Sequence, residues 1–349
     1  MPIRLDFDKD EVVNLLAKAK GKDDFIYLVF LGDLHIGHKD FSPSFLQKAV
    51  TLIKRLSEQH TVEVVLMGDL IETDKDYASP YMIEDVAERT QEQLKTMLQV
   101  LSPIAHLCKI ALWGNHEERL IRDTKTKRAL EMVGIKNFFE MILKQLNPKI
   151  YVAQPQRGVL FNLGARCSSS HQDYEIRVSH GSYGGYKRPE LQCERESENY
   201  PTVSLIAMGH HHQKFFKEVV RMGLEKNRRA IYMQYWLGTG TFLRYPAYAE
   251  HKSYPVNVMG FPIIKVHAGC QHLEYMNGPD FQPRFLKAAG MMPFGPRPKL
   301  DFVVPVQTTI PNPVCPKCDT VMQKMGFLPT KSGGRKQRFR CVDCGQTKS

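Results

Sequence analysis

The chain has 349 residues, which is enough for one large domain and a small one. Hydrophobic residues make up 42% of the sequence and charged residues 24%, the balance of a globular protein. No apolar run is long enough to span a bilayer, so we expect no membrane partner. The first ten residues carry no apolar signal core, so we expect a cytoplasmic protein whose eight cysteines stay reduced or bind metal.

Positive charge is concentrated near the C-terminus. The formal net charge is +11, and residues 313–349 contain eight Lys or Arg against two Asp, a local excess of +6. Such an excess favours a polyanionic partner such as nucleic acid. The alternative interpretation is that the charge only improves solubility.

The predicted elements begin with a short amphipathic helix over residues 9–20. Five short apolar runs follow, and each ends in a polar cluster with metal-binding side chains. The runs span residues 25–30, 62–67, 106–113, 174–179 and 204–208. Helical periodicity over residues 46–56 and 83–101 connects the first three runs. This alternation predicts an α/β fold whose functional groups gather at the carboxyl ends of the strands.

The polar clusters contain the side chains that divalent cations prefer. In chain order they are Asp33-Leu-His35, Gly68-Asp69, Gly114-Asn115-His116-Glu117, His180, and Gly209-His210-His-His212. Mixed carboxylate, imidazole and amide donors suit Mn²⁺, Fe or Zn²⁺ better than Ca²⁺, and two such ions about 3.5–4 Å apart can clamp a phosphate during in-line displacement. One such motif alone is weak evidence for a metal site, since a lone histidine is more often a hydrogen-bonded structural residue than a metal ligand. All five in order, each after an apolar run, predict a two-metal phosphoesterase site.

The C-terminal region contains a second metal-binding pattern. Eight prolines within residues 279–313 predict an extended linker. Beyond it, Cys315-x2-Cys318 and Cys341-x2-Cys344 are separated by 22 residues, a spacing close to that of structural zinc sites. Because so few residues cannot bury a stable core without a metal, we predict a zinc ribbon that contains one structural Zn²⁺.

The five motifs together resemble those of the calcineurin-like metallophosphoesterase superfamily, and the resemblance covers residues 25–212. It implies an α/β protein with a β-sandwich flanked by helices and two metal ions in the active site. One ion would be bound by Asp33, His35, Asp69 and His212, and the other by Asp69 as the bridge together with Asn115, His180 and His210.

The resemblance also assigns the catalytic side chains. His116 would face the leaving group or the phosphate oxygens. As a general acid it would need its proton, and Glu117 would orient its imidazole and favour the protonated form. His171 competes with His180 for the last ligand position, and we prefer His180 because it directly follows the strand-like run at 174–179. His38 and Glu72 are candidates for supporting contacts around the ions, with ordinary surface residues as the alternative.

The motifs also distinguish branches of the superfamily. Ser/Thr protein phosphatases carry Asp-Arg-Gly after the second motif and an Arg before the third. Both arginines are missing here, where the sequence reads GDLIETD and ALWGNHE. The segments GDLHIGH and GDLIE look closer to the DNA-repair exonuclease branch.

These patterns divide the chain into four predicted segments. They are an N-terminal helical segment (1–24), a metallophosphoesterase domain (25–278), a Pro-rich linker (279–313) and the zinc ribbon (314–349).

The leading functional prediction is a nuclease. It would use Mn²⁺, with Fe or Zn²⁺ as alternatives, to hydrolyse phosphodiester bonds in nucleic acid that the basic ribbon tethers. The alternative is a phosphatase or cyclic phosphodiesterase acting on a small molecule or phosphoprotein, with the ribbon contacting a protein partner. The complete ligand set, including His116, argues against a binding module without catalysis.

Overall fold

The chain divides into two compact units, Met1–Pro293 and Phe294–Ser349. The computed structural model describes residues 12–73, 89–122, 138–181, 189–225, 228–244 and 259–278 of the first unit, and parts of residues 315–348 in the second. The boundary between the units falls within the predicted linker, residues 279–313, which lies outside the described residues. Among the described helices, none is both long and apolar enough to cross a membrane.

Two six-stranded sheets form the larger unit. The first sheet has the strand order β1 (Val13–Lys18), β6 (Val159–Arg166), β7 (His171–Ser179), β8 (Leu205–Met208), β10 (Arg228–Thr239) and β9 (Lys214–Glu225). The second has the order β12 (Leu273–Asn277), β11 (Pro262–His267), β2 (Phe25–Leu31), β3 (Val62–Leu66), β4 (Cys108–Ala111) and β5 (Tyr151–Val152). Each of the five apolar runs contributes one of these strands, as the sequence predicted.

The sheets pack face to face, which explains the continuous apolar runs. In β2, Leu28 and Phe30 belong to the core between the sheets, whereas Val29 and Leu31 belong to a second core beneath the helices. Because successive strand residues point to opposite faces, a strand with both faces buried is apolar at every position.

Helices cover the outer faces of the sandwich. They are α1 (Pro43–Gln59), α2 (Thr90–Leu101), α3 (Asn115–Arg122), α4 (Phe138–Leu146) and α5 (Glu190–Asn199), with a 3-10 helix at Ser102–Leu107. Apolar residues of α1, α2 and α4 pack on the second sheet, and Cys193 of α5 packs on Ile206 and Trp236 of the first. The predicted β-sandwich flanked by helices is confirmed.

The direction of the strands brings the polar clusters together. β2, β3 and β4 are parallel, so their carboxyl ends share one edge of the second sheet. β7, β8 and β10 are also parallel, and β6 runs antiparallel to β7. The start of β6 therefore lies beside the end of β7, with Val159 opposite Val178.

The helix predicted over residues 9–20 is wrong for its described part. Residues 13–18 form β1, which pairs in parallel with β6 along its whole length. Ala17 is buried and Leu16 is 63% exposed, so burial alternates as in an edge strand. Backbone hydrogen bonds to β6 outweigh the weak helix propensity of this short segment. It belongs to the sandwich and not to a separate N-terminal helical segment (1–24).

The helix predicted over residues 83–101 is partly described. Helix α2 covers residues 90–101 of the predicted 83–101, and the remainder lies outside the described residues. The smaller unit contains a three-stranded antiparallel sheet, β13 (Gln323–Pro329), β14 (Arg335–Arg340) and β15 (Thr347–Lys348).

Tyr174 links the two sheets by hydrogen bonds. Its side chain is in the core, and its hydroxyl lies 2.8 Å from the carbonyl oxygen of His267 and 2.7 Å from that of Cys270. The same hydroxyl accepts the N–H of His272 at 3.1 Å. A strand of the first sheet thus satisfies backbone groups in the turn between β11 and β12.

We expect Tyr174→Phe to lower the free energy of unfolding by about 1–3 kcal/mol, because buried backbone groups lose their partner. Urea denaturation of the metal-free protein measures the change. Tyr232→Phe is the matched control, since the Tyr232 hydroxyl forms no hydrogen bond within the described part of the chain. Equal stability losses in the two variants would contradict this role of Tyr174.

Candidate metal centre

Two groups of potential ligands lie at the carboxyl ends of the strands. In the first group, Asp33, His35 and His212 place one donor atom each within 4.8 Å of one another. The Nε2 atoms of His35 and His212 are 3.0 Å apart, and His212 Nε2 is 3.3 Å from Asp33 Oδ1. The sequence analysis assigned these three residues, together with Asp69, to one ion, and the structure brings the three together.

The second group contains Asp69, Asn115, His180 and His210. His180 Nε2 lies 3.1 Å from Asp69 Oδ2 and 3.2 Å from Asn115 Oδ1, and His210 Nδ1 lies 2.9 Å from the same amide oxygen. Asp69 Oδ2 is also 3.8 Å from His35 Nε2. The Asp69 carboxylate thus lies between the two groups, where a bridging ligand belongs.

Competition between His171 and His180 is resolved by their places on β7. His171 is the exposed first residue of that strand, whereas His180 follows its last residue and is buried at the site. A strand of this length separates its two ends by about 3.3 Å per residue, so His171 is remote from the centre.

Five of the candidate ligands have left-handed backbone conformations. Positive φ angles between 48° and 67° occur at Asp33, His35, Asp69, His210 and His212. Such angles are uncommon in residues other than glycine and cost roughly 1–3 kcal/mol each, so the surrounding structure must impose them.

Hydrogen bonds between the loops impose these conformations. The N–H of Asp33 donates to the carbonyl of Gly68 at 3.0 Å, and the N–H of His35 donates to that of Asp69 at 3.0 Å. The N–H of His210 donates to the Asp33 carboxylate at 3.1 and 3.2 Å. The loops after β2, β3 and β8 therefore fix one another.

Glycines permit this close approach in two ways. Gly68 has φ 86°, so it makes a sharp turn directly before Asp69. Gly114 is needed for space, because a Cβ there would lie 2.1 Å from Asp69 Oδ1. The Asp69 carboxylate occupies the volume that a side chain at position 114 would need.

Supporting contacts direct two imidazoles toward the centre. His180 Nδ1–H donates to the carbonyl of Met67 at 2.8 Å, and His35 Nδ1–H donates to Glu72 Oε2 at 2.7 Å. Both Nε2 atoms therefore face the ligand groups, as in carboxylate–histidine–metal arrangements. Glu72 is buried and supports His35, so it is not an ordinary surface residue.

Burial and charge set the protonation of the site. Burial alone would raise the pKa of Asp69, but His180 and His116 lower it well below its usual value. Burial lowers the pKa of His35 to about 4. Burial also acts to lower the pKa of His180, yet Asp69 raises it to about 10. Because an imidazole must be neutral to bind a metal ion, a cation that binds His180 near neutral pH displaces its proton.

His116 lies against both Glu72 and Arg119. Its Nδ1 is 2.8 Å from the Glu72 carbonyl oxygen, and its Nε2 is 3.9 Å from Asp69 Oδ2. Two nitrogens of the Arg119 guanidinium lie 3.1 and 3.2 Å from the ring nitrogens. Burial lowers the pKa of His116 to about 4 despite the nearby carboxylates, so this environment favours the neutral imidazole over the protonated form that the sequence predicted.

The prediction that Glu117 orients His116 is also wrong. Its carboxylate accepts four backbone N–H groups, from Gly114 at 2.8 Å, Asp69 at 2.9 Å, Leu70 at 2.6 Å and Ile71 at 3.1 Å. Unpaired N–H groups at a strand end and a helix start attract a carboxylate strongly. Glu117 thus connects the loop after β3 to α3.

Sequence reasoning missed two residues that support the site. Arg119 contacts His116 from one turn further along α3, a helix that no periodic pattern indicated. Thr241 donates its hydroxyl to the carbonyl of Asp33 at 3.1 Å. It follows β10, whose end carries no charged cluster and so gave no signal.

The C-terminal cysteines form a separate candidate metal site. Cys315, Cys341 and Cys344 place their sulfur atoms within 4.8 Å of one another, and the Sγ atoms of Cys315 and Cys344 are 3.6 Å apart. Cys318, the fourth predicted ligand, lies outside the described residues.

We expect Glu117→Gln to lower metal content and diester turnover together, by about 10–100-fold, because an amide group would face backbone N–H donors and loosen the loops. Elemental analysis and Mn²⁺-dependent hydrolysis measure the two effects. Glu194→Gln, an exposed change on α5, is the control. Full metal content with reduced turnover would instead favour a direct action of Glu117 on His116.

Comparison with known proteins agrees with this geometry. A search among curated proteins found no significant match. The family model of the calcineurin-like phosphoesterases matches residues 26–214, which is more than half of the chain and includes every candidate ligand of the two groups. The chain therefore belongs to the calcineurin-like phosphoesterase family and is a metal-dependent phosphoester hydrolase.

Proposed function

We propose that this protein hydrolyses phosphodiester bonds in nucleic acid with two divalent ions, preferably Mn²⁺. One ion would be held by Asp33, His35, Asp69 and His212, and the other by Asp69, Asn115, His180 and His210. The observation that carries the proposal is the position of Asp69 between two complete ligand groups. A shared carboxylate of this kind supports a two-ion centre.

The chemistry of the donors fits such ions. Asp33 and Asp69 are buried carboxylates with lowered pKa values, although burial by itself would raise them. His35 directs its Nε2 to within 3.0 Å of His212 Nε2, an arrangement that a cation between them would stabilise. Mixed oxygen and nitrogen donors suit Mn²⁺, Fe or Zn²⁺. When bound, the ions would supply positive charge to the phosphate and make a water more acidic.

His116 is suited to carry a proton. The Glu72 carbonyl accepts a hydrogen bond from Nδ1–H, and burial favours the neutral ring. Nε2, which an Arg119 nitrogen contacts at 3.2 Å, therefore carries the lone pair that would accept a proton. A neutral imidazole that first accepts a proton and then passes it to the leaving oxygen fits this environment better than a permanently protonated acid. Arg119 and Glu72 fix the plane of the ring.

The C-terminal sheet is proposed as a zinc ribbon that tethers nucleic acid. Four thiolates around Zn²⁺, at about 2.3 Å each, would place sulfur atoms about 3.8 Å apart. The 3.6 Å distance between Cys315 and Cys344 supports such a site, with Cys318 as the fourth ligand by sequence. The eight Lys and Arg of residues 313–349 favour a polyanion.

A substrate comparison tests the activity. Purified protein with Mn²⁺ would be assayed on single-stranded DNA, duplex DNA, RNA, bis-p-nitrophenyl phosphate and p-nitrophenyl phosphate. We expect nucleic acid and the diester to be cleaved faster than the monoester. A preference for the monoester would favour the alternative, a phosphatase.

We expect Asp69→Asn to reduce hydrolysis of every substrate by at least about 10²-fold, because the shared charge of both ion sites is lost. The folded state is checked by circular dichroism and the metal content by elemental analysis. Asp173→Asn, an exposed change on β7, is the matched control. Turnover within tenfold of the unmodified protein would refute Asp69 as the bridge.

A second prediction concerns the ribbon. Replacing Arg335, Lys336, Arg338 and Arg340 of β14 by Gln should weaken binding to single-stranded DNA most at low salt. The slope of log K against log salt should become shallower by up to about 3, because fewer counterions are released. Fluorescence anisotropy at several salt concentrations measures both quantities.

A variant of equal charge gives the comparison for the ribbon. Lys18, Lys48, Lys54 and Lys95 are exposed on the larger unit, and their joint replacement by Gln removes the same charge. Equal losses of affinity in the two variants would show a general charge effect and would exclude a tethering ribbon.

A further inference from the structure

A cavity of about 460 Å³ opens beside the second ligand group. Asn115, His180 and His210 line one part of it, and Arg157, Arg177 and Arg195 line another. The cavity thus joins a candidate ion site to three guanidinium groups. Its volume is within the range of pockets that bind small molecules, about 300–1,000 Å³.

Secondary structure fixes where the arginines lie. Arg157 is next to the start of β6, and Arg177 is near the end of the antiparallel neighbour β7. Arg195 lies on the face of α5 that also presents Gln192 and Glu196 to the cavity. The loop before β6, strand β7 and helix α5 therefore supply one arginine each.

Only one of the three arginines is engaged by an acid within the described residues. Arg177 Nε donates to Glu196 Oε2 at 3.0 Å, and its guanidinium carbon lies 4.6 Å from the centre of the Tyr200 ring. Arg157 and Arg195 are exposed and form no ion pair in the part of the chain that the structure describes.

The second carboxylate of the lining, that of Glu118, contacts Gln156. Glu118 accepts the backbone N–H of Gln156 at 3.0 Å and its side-chain amide at 3.3 Å. Two arginines that lack a carboxylate partner among the described residues, next to a candidate ion site, favour an anionic ligand with phosphate oxygens.

We propose that this cavity holds the nucleotide next to the scissile bond, with Arg157 and Arg195 binding the second phosphate. This inference rests on the proposed function, since it places the scissile phosphate between the two ligand groups. A phosphoester with a single phosphate would leave both arginines unused. The cavity would therefore select polynucleotides over isolated diesters.

Substrate pairs that differ by one phosphate test this cavity. They are thymidine 5′-(p-nitrophenyl phosphate) with and without a 3′-phosphate, and the 3′-isomer with and without a 5′-phosphate. The two isomers cover both directions of the strand. With Mn²⁺, we expect kcat/KM to be at least about tenfold higher for the bisphosphate of one pair, because charged hydrogen bonds to phosphate are strong.

Arg157→Gln and Arg195→Gln should each lower that preference by about tenfold, because each removes a guanidinium from the second phosphate. Arg166→Gln is the matched control. It removes the same charge from the opposite end of β6, where Arg166 lies opposite His171 of the neighbouring strand. This variant should keep the full preference for the substrate with a second phosphate. Thermal melting checks that all three variants are folded.

The outcomes separate this inference from the proposed function. Diester hydrolysis without any preference for a second phosphate would overturn the cavity assignment and leave the nuclease proposal standing. If no diester is hydrolysed, the proposed function fails, and calorimetry with thymidine 3′,5′-bisphosphate decides the cavity. Binding that Arg157→Gln or Arg195→Gln weakens about tenfold supports the site, whereas unchanged binding, or tighter binding of a phosphopeptide, overturns it.

Discussion

Burial of the Asp69 carboxylate is the constraint on which the metal centre depends. A buried charge is costly unless it is surrounded by partners of opposite charge or by hydrogen-bond donors. Asp69 accepts the backbone N–H of His116 at 2.9 Å and lies 3.1 Å from His180 Nε2. The histidines and the start of α3 offset the charge of this carboxylate, and the missing side chain at Gly114 leaves space for it.

Strained loops are the second consequence of that arrangement. A residue other than glycine keeps a left-handed backbone conformation only where the surrounding structure imposes it. Here the loops after β2 and β3 are joined by backbone hydrogen bonds, and the Glu117 carboxylate connects the β3 loop to α3. The strained positions include five residues whose side chains must converge, and the regular strands behind them provide the stability.

Much of the fold could be predicted because its strands are buried on both faces. An apolar run such as residues 62–67 is stable only in the interior of the protein, and the polar cluster at its end is easily recognised in the sequence. The strand at Val13–Lys18 could not be predicted, because its partner β6 is more than 140 residues away in sequence. Short segments take the structure that a distant neighbour imposes.

The ligands of the candidate site were more predictable than their environment. Residue types at strand ends identify Asp33, Asp69 and His180 as metal-binding candidates, whereas the partners of Glu117 are backbone N–H groups that leave no trace in the sequence. The neutral state of His116 has the same origin, since it depends on burial and not on the adjacent residue. The burial and the hydrogen-bond partners of a side chain are set by the folded chain, so a sequence motif does not reveal them.

The two ligand groups draw their donors from both sheets of the sandwich. Asp33 and Asp69 follow strands of the second sheet, whereas His180 and His210 follow strands of the first. Any cation held between them cross-links the sheets at one end. Binding to the folded chain alone raises its stability by RT ln(1 + [L]/Kd), about 2.7 kcal/mol at one hundred times Kd. Metal binding therefore links catalytic competence to the free energy of unfolding. A low supply of the metal would lower both the activity and the stability of the β-sandwich.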